Sequence, residues 1–390
     1  MTQMTGTRRK INSLNDRLLL SLSFVFFMPL LFDFISGLTM GQSRNVTIAI
    51  YGITFVAFFV MGRQSIKPSN FLPLVVIYAI CTINVLLFPE SRKYFETAQF
   101  LNLFYYIPLS FVLFRNIKEW SNFIPVLFRF SPIAVLMGGY SLMFAQIQTA
   151  DISISYMEFS YALLPFVCAS YAYYISKRRI VGLILFIIGL VEMLAFGCRG
   201  AVVSALIFAI LLAVLKSKTN KWGLILLSVV TIAIAVNIVP IINYLSGISI
   251  FEDSYILRRA INAEMFEVSS RETILMNCEK RLSSMGLEIS GLFGDRPYCG
   301  SVYPHNIVYE VFMQWGWILG TFLLLYLSSL FVKGFVRNST SRFVTLFFVC
   351  SILLRFFISG SYLNSGLFWL MIACMLSIKN LREIKVNNNE

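Results

Sequence analysis

The sequence predicts an all-α integral membrane protein with about twelve transmembrane helices and one large, partly helical loop outside the membrane. Three observations support this prediction: the composition, the spacing of apolar runs and the placement of basic residues. Of the 390 residues, 58% are hydrophobic and 13% are charged, whereas soluble domains average roughly 45–50% and about 25%. So apolar a composition excludes a soluble fold.

Apolar runs of about 20 residues recur along the chain, and each can cross a hydrocarbon core of about 30 Å. The first run carries Asp33 near its end and is followed by others, so we interpret it as a membrane helix and not as a cleaved signal peptide. The fifth, eighth and twelfth runs are interrupted or short, and kinked or re-entrant segments are the alternative there. The predicted spans are residues 18–38, 45–62, 71–88, 98–114, 124–147, 158–175, 180–196, 201–215, 222–245, 306–331, 343–358 and 363–377.

Basic residues concentrate in alternate connections between the spans, which hold most of the 32 lysines and arginines. The short connections on the opposite side hold only Arg44, Arg92, Lys93 and Arg199. By the positive-inside rule the basic side is cytoplasmic, so both termini are predicted to be cytoplasmic, which agrees with an even number of spans. The net charge of +13 is therefore a topology signal, and nucleic-acid binding is not expected.

One connection, which we call the long loop, covers residues 246–304 and lies on the predicted outer side. Loops of this length are usually functional. Two helical stretches are predicted in it, at residues 255–266 and 272–285, before a glycine-rich passage closes it. The long loop separates an N-terminal bundle of about nine spans, residues 1–245, from a C-terminal bundle of about three, residues 305–390.

Cysteine and histidine positions argue against a metal site, because the chain has a single histidine, His305. Cys278 and Cys299 share the long loop, and the sequence leaves open whether they form a disulfide. Four further cysteines lie within predicted spans and are expected to pack as small apolar side chains. They are Cys81, Cys168, Cys350 and Cys374.

The end of the long loop carries the first candidate site. Pro304 favours a helix start, which would place His305 and Asn306 in the first turn of the tenth span. Such a helix end offers free N–H groups and the positive end of a dipole, both suited to a phosphate. At helical spacing His305 faces Tyr309, and Asn306 faces Glu310. The alternative is that His305 is a packing residue at the membrane boundary.

Two arginines outside the spans are further candidates. Arg199 lies in a connection of a few residues on the outer side, where the positive-inside rule disfavours it and desolvation is costly. We therefore expect an anionic partner for it, either a carboxylate such as Glu192 or Glu158 or the phosphate of a ligand. Arg271 opens the second predicted helix of the long loop, where a solvated helix face is the alternative to a functional role.

Four charged residues lie in apolar context, each within one or two helical turns of the outer end of its span. A charge inside the membrane is costly, so it is retained either because it forms an ion pair within the bundle or because it has a functional role. The sequence leaves both explanations open for each residue. The four are Asp33, Glu192, Glu310 and Arg355.

Taken together, the motifs between residues 197 and 320 resemble those of the O-antigen polymerase and ligase superfamily. Length and loop layout are similar to the polymerase branch, often called Wzy-type, while the spans before residue 197 match in hydropathy alone. The motifs are the turn Cys198-Arg199-Gly200, Arg271 followed by Gly291-Leu292-Phe293-Gly294, then His305-Asn306, Glu310, and Gly316 to Gly320.

The resemblance implies a metal-independent glycosyltransferase of the bacterial inner membrane that uses no cofactor. Its donor would be a glycan on undecaprenyl pyrophosphate, its acceptor a lipid-linked repeat unit, and a chain-length regulator protein a further partner. In this interpretation Arg199 and Arg271 neutralise the departing pyrophosphate, and His305 orients or deprotonates the acceptor hydroxyl. The substrate-binding residues are expected to be Asn306, Glu310, Tyr309, Arg258 and Arg296.

Two other functions fit parts of the pattern. A ligase that transfers finished glycan to lipid A core shares the motifs and differs in its acceptor. A flippase for lipid-linked oligosaccharides would also have about twelve spans, but it predicts paired halves and charge near the bilayer midplane. A membrane O-acyltransferase is disfavoured, because that family usually relies on a histidine within the membrane.

Overall fold

The computed structural model describes residues 2–38, 44–95, 97–145, 156–196, 198–216, 270–300 and 303–380. Over these ranges the backbone is mostly helical and forms no β-strand, which confirms the all-α fold class. Within them, six helices are long and apolar enough to cross a membrane, and three shorter apolar helices accompany them. The chain therefore has the helices of a membrane-embedded protein, and the count of twelve spans stays a prediction.

We number the α-helices in chain order. The N-terminal helices are α1 Thr2–Leu38, α2 Arg44–Gly62, α3 Leu72–Leu87, α4 Thr97–Leu101, α5 Phe123–Phe128, α6 Ser131–Ala145, α7 Tyr156–Lys177, α8 Ile180–Ala195 and α9 Arg199–Leu215. The later ones are α10 Ser270–Ser284, α11 Ile307–Arg337, α12 Ser339–Phe348, α13 Arg355–Ile358 and α14 Gly366–Asn380. The π-helical segments are Asn102–Tyr106, Leu109–Leu113 and Val349–Leu353, and the 3₁₀ turns are Arg63–Ser65, Pro68–Asn70, Pro89–Tyr94, Phe114–Asn116 and Arg296–Tyr298.

Within the described residues, every predicted span except the ninth falls largely on helical backbone. The ninth span, residues 222–245, lies outside the described residues, as do Arg258 and the predicted loop helix at 255–266. The second predicted loop helix is confirmed as α10. The fifth span is divided into α5 and α6 just before Pro132, because proline has no N–H to continue a helix and restricts the residue before it.

Aromatic side chains fill the core of the bundle. The rings of Phe26 in α1 and Phe123 in α5 both pack on Phe347 and Phe348 in α12, with centroids 5.3 to 6.3 Å apart. All four side chains are buried. Such contacts between helices far apart in sequence supply the packing that holds a membrane bundle together, because lipid provides little hydrophobic driving force.

One end of the bundle, which we call the polar end, receives the glycine-rich passage of the long loop. The Gly291 N–H donates to the Gln314 carbonyl oxygen of α11 at 2.9 Å, and the Leu292 N–H donates to Asn84 Oδ1 of α3 at 2.6 Å. Two neighbouring peptide groups of the loop are thus bonded to two different helices. The loop is part of the packed end of the bundle.

A kink in α11 makes this docking feasible. Gly316 has φ +69° and ψ 175°, which interrupts the helical hydrogen bonding and leaves the Gln314 carbonyl oxygen free to accept from the loop. A Cβ atom at Gly316 would lie 2.6 Å from the Glu288 carbonyl oxygen. Glycine is required at this position by both the backbone conformation and the close approach of the loop.

Candidate functional site

A buried hydrogen-bond network lies at the polar end, in the first turns of α11. Glu310 accepts hydrogen bonds from the Ser361 hydroxyl and from the Tyr362 N–H, the latter at 3.3 Å. One turn further, Gln314 donates to Asp295 Oδ1 at 2.5 Å and accepts from the Tyr362 hydroxyl at 2.5 Å. All five residues are buried. The network therefore joins α11 to the long loop and to the turn between α13 and α14.

Arg296 completes this network from the loop side. Its side chain is only 4% exposed, and its Nε lies 3.8 Å from Asp295 Oδ2. Its Nη2 donates to Ser361 Oγ at 3.3 Å and to Asn364 Oδ1 at 3.2 Å. Burial raises the pKa of the Asp295 carboxyl above its ordinary value of 3.8, even though the neighbouring Arg296 acts in the opposite direction.

A polar cavity of about 210 Å³ adjoins the network. Asp33 of α1, Glu158 of α7 and Arg355 of α13 line it, together with Tyr303. The Arg355 guanidinium lies over the ring of Tyr161, 4.6 Å from its centroid, and Asp33 interacts electrostatically with both Glu158 and Arg355. The cavity thus presents one cation and two carboxyl groups to a ligand at the polar end.

A second, apolar cavity of about 420 Å³ lies beside the polar one. Ile80 of α3 and Leu323 of α11 are among the side chains that line it towards the flank of the bundle, where these two helices expose most of their apolar side chains. Asn102 lines both cavities, and its Nδ2 donates to the Leu363 carbonyl oxygen at 2.7 Å. The apolar cavity therefore leads from the lipid-facing flank to the wall of the polar cavity.

The expected position of His305 and Asn306 in the first helical turn is wrong by one to two residues. The helix begins at Ile307, and Asn306 is its N-cap, with its side chain accepting from the Val308 N–H at 2.9 Å. Asn306 takes this role because its carboxamide oxygen satisfies one of the free N–H groups at the helix start. His305 has a left-handed φ of +60°, and its ring packs on Tyr303 with centroids 4.5 Å apart. Tyr303 lines the polar cavity, whereas His305 does not.

Of the remaining predicted site residues, Glu310 and Arg296 lie in the buried network, and the other described ones are dispersed. Tyr309 donates its hydroxyl hydrogen to Glu279 Oε1 of α10 at 2.8 Å, away from the buried network. Arg199 is the first residue of α9, and the next residue, Gly200, packs against the Tyr161 hydroxyl so closely that a Cβ would not fit. The backbone of this turn therefore lies beside the ring that carries Arg355. Arg271 lies in the first turn of α10, and its side chain is outside the described part of the structure.

Glu192, considered above as a partner for Arg199, is buried against α6. Its carboxyl group lies directly against Gly138 and Gly139, and the Gly139 N–H donates to it. Glu192 thus uses the absence of side chains on α6 to approach its backbone. This environment is typical of a residue that packs two helices together.

Several residues of the site had no signal in the sequence. Asp295, Gln314, Ser361 and Asn364 are polar residues of common types, and they meet only because three separate segments converge at the polar end. Asn364 also accepts from Gln99 Nε2 at 2.6 Å. The intramembrane charges Asp33, Glu310 and Arg355 were an available signal, because a charge placed in an apolar span needs a partner.

Comparison with known proteins finds no matching family model, no matching curated protein and no matching solved structure. Within the described ranges, no three His, Cys, Asp or Glu side chains are grouped so as to hold a metal ion. The two cavities and the buried network are the features of the described residues that bear on function.

Proposed function

We propose that this chain is a membrane glycosyltransferase that polymerises undecaprenyl-pyrophosphate-linked repeat units of O-antigen or a related surface polysaccharide. In this proposal the polar end faces the periplasm. The observation that carries it is the pair of adjoining cavities, one polar with Arg355 and two carboxyl groups, the other apolar and reached from the lipid-facing flank. A lipid-linked glycan has the same two parts, an anionic head carrying sugars and a long apolar chain.

Arg355 is proposed to bind the pyrophosphate of the donor. Its guanidinium lies over the Tyr161 ring, and a guanidinium can form paired hydrogen bonds with phosphate oxygens. When the glycosidic bond to pyrophosphate breaks, negative charge grows on the leaving oxygen, and an arginine at this position stabilises it. Because Gly200 packs on the same tyrosine, the preceding residue, Arg199, is proposed as a second arginine for the pyrophosphate.

Asp33 is proposed to activate the acceptor sugar. Asp33 lines the same cavity as Arg355, whereas His305 does not line it and packs on Tyr303. The acceptor hydroxyl oxygen attacks the anomeric carbon of the donor, its proton passes to the carboxylate, and undecaprenyl pyrophosphate departs. Because a sugar hydroxyl is a very weak acid, the proton moves together with bond formation. In this proposal Asp33 takes the role that the sequence analysis predicted for His305. The His305 ring packs on Tyr303 instead.

The apolar cavity is proposed to hold the first isoprene units of the lipid. It adjoins the polar cavity at Asn102, so a lipid lying there places its pyrophosphate next to Arg355. Because the cavity is lined by α3 and α11 on the flank of the bundle, the lipid enters sideways from the bilayer. The apolar chain of the lipid therefore does not have to pass through water to reach the cavity.

The deciding experiment has two parts. In a strain that lacks the chain, a glycan gel should show a single repeat unit on its acceptor, whereas loss of a ligase or a flippase would leave no repeat unit. Purified protein incubated with a lipid-linked repeat unit should then produce longer lipid-linked glycans. Failure of the purified, folded protein to lengthen the substrate, together with loss of all repeat units in the strain, would favour the ligase or flippase alternative.

A further inference from the structure

Two cysteines of the long loop are in contact. Cys278 lies in α10, and Cys299 directly follows the 3₁₀ turn Arg296–Tyr298; their Sγ atoms are 3.3 Å apart. The side chains are 0% and 1% exposed. A disulfide bond has an S–S distance of about 2.05 Å, so a shift of roughly 1 Å would join the two sulfur atoms.

The two thiols lie at the centre of a small apolar cluster that is separate from the main core. The other buried members are Leu282 of α10, Met285 directly after it and Met313 of α11. α10 also makes the exposed ion pair between Arg281 and Glu288, the contact of the Arg281 guanidinium with the Tyr298 ring and the exposed hydrogen bond from Tyr309. Exposed pairs of this kind contribute little to stability, so a covalent bond between the cysteines would strengthen the attachment of the helix.

We propose that Cys278 and Cys299 form a disulfide bond in the mature protein. The oxidant is a disulfide-containing compound or protein outside the cytoplasm, which accepts the electrons of the two thiols. The inference is independent of the proposed enzymatic activity, and it requires only that the long loop is exported. Oxidising compartments are where structural disulfides form and persist. Because both sulfur atoms are buried once the loop is packed, the bond forms while the loop is folding.

The bond forms in two steps of thiol–disulfide exchange. One of the two cysteines, for example Cys278, first loses its proton. The Cys278 thiolate attacks the oxidant disulfide, forming a mixed disulfide and releasing one oxidant thiolate. Cys299 then loses its proton and attacks the Cys278 sulfur, which releases the second oxidant thiolate. Two thiols are oxidised, one disulfide is reduced, and the two protons end on the released thiols.

The bond would tie α10 to the segment that holds the buried network. Asp295 and Arg296 lie three or four residues before Cys299 and bond to Gln314 and Ser361. Fixing Cys299 therefore limits the freedom of the loop segment from which both residues project.

Counting free thiols tests the proposal. Membranes are quenched with acid, denatured, and treated with a polyethylene-glycol maleimide before or after reduction. The chain has seven cysteines, so five should react without reductant and all seven after reduction. Peptide mass spectrometry of the unreduced sample should recover the 278 and 299 peptides linked, with a mass 2 Da below their sum.

The double variant Cys278→Ser, Cys299→Ser is the matched control, and it should show five reactive thiols with and without reductant. Seven reactive thiols in the unreduced parent protein would overturn the proposal. So would a double variant that still loses two thiols without reductant, because another pair would then be bonded. The single variant Cys278→Ser should show six thiols under both conditions.

Discussion

Gln314 donates a hydrogen bond from Nε2 to Asp295 Oδ1 at 2.5 Å, and this contact places a buried carboxyl group of the long loop against the first turns of α11. Asp295 is fully buried, with a pKa raised by burial although Arg296 is its neighbour. The folded protein therefore holds a proton on Asp295 more tightly than the unfolded chain does. The polar end of the bundle is correspondingly sensitive to pH.

The first prediction follows from this pKa. Because the pKa of Asp295 is higher in the folded than in the unfolded chain, its contribution to stability is complete below about pH 3.8 and is lost as pH rises through the folded value. The unfolding temperature of Asp295→Asn in detergent should therefore rise relative to the parent protein as pH increases from 4 to 8. The corresponding free energy changes by at most about 1.4 kcal/mol per pH unit. Glu90→Gln, at an exposed acid, should show no such trend; a pH-independent difference for Asp295→Asn would contradict the prediction.

The second prediction concerns the kink. Gly316→Ala should destabilise the protein, because φ +69° with ψ 175° is a backbone region that is essentially restricted to glycine and costs an L-residue about 1–3 kcal/mol. The new methyl group would also meet the Glu288 carbonyl oxygen at 2.6 Å. Yield in the membrane and unfolding temperature are the measurements. Gly52→Ala is the matched control, since a Cβ there meets nothing within 4 Å. Equal stability of the two variants would show that the loop does not depend on the kink.

The third prediction concerns Arg355. Arg355→Ala should reduce polymer formation by about 10²–10³-fold, which is the usual cost of removing a group that stabilises developing charge. Arg355→Lys should remain impaired, because an ammonium group cannot reproduce the paired hydrogen bonds or the stacking on Tyr161. Arg342→Ala is the control: this arginine donates to the Phe335 carbonyl oxygen at the junction of α11 and α12, away from the cavity. Normal glycan ladders from a well-expressed Arg355→Ala protein would remove the residue from the site.

The fourth prediction separates Asp33 from His305. Asp33→Asn should lower the rate of glycan transfer by about 10²–10⁴-fold, the range for loss of a general base. His305→Ala should be affected less, because the imidazole supports Tyr303 and does not line the cavity. Glycan length on gels and the rate with purified lipid-linked substrate measure both effects. If His305→Ala lowered the transfer rate more than Asp33→Asn did, the result would favour His305 as the general base, as the sequence analysis predicted.

The fifth prediction concerns orientation. An introduced thiol at Ser284, which is exposed at the end of α10, should react with a membrane-impermeant maleimide added to intact cells. One at Ser121, exposed between the 3₁₀ turn Phe114–Asn116 and α5, should react only after the membrane is opened. The parent protein gives the background from native cysteines. The opposite pattern would place the polar end in the cytoplasm and exclude the proposed chemistry.

The sequence was most informative where one physical requirement dominates. Crossing lipid demands long apolar helices, and the runs that predicted spans do form helices in the described residues. The helix Ser270–Ser284 was also predictable from its pattern. The buried network was not predictable, because Gln314, Asp295 and Ser361 are brought together by contacts between distant segments. The left-handed backbone at His305 and the kink at Gly316 depend on the docking of the loop, which a local pattern does not encode.

The two loop hydrogen bonds described above have a mechanical consequence. Gly291 is bonded to α11 and Leu292 to α3, and these helices line the apolar cavity on either side. The loop therefore links α3 and α11 at the polar end, so the two helices can separate more easily at the ends away from the loop. In the proposed function, the apolar chain of the lipid would enter between the helices below this link, while its head group and sugars stay on the polar side.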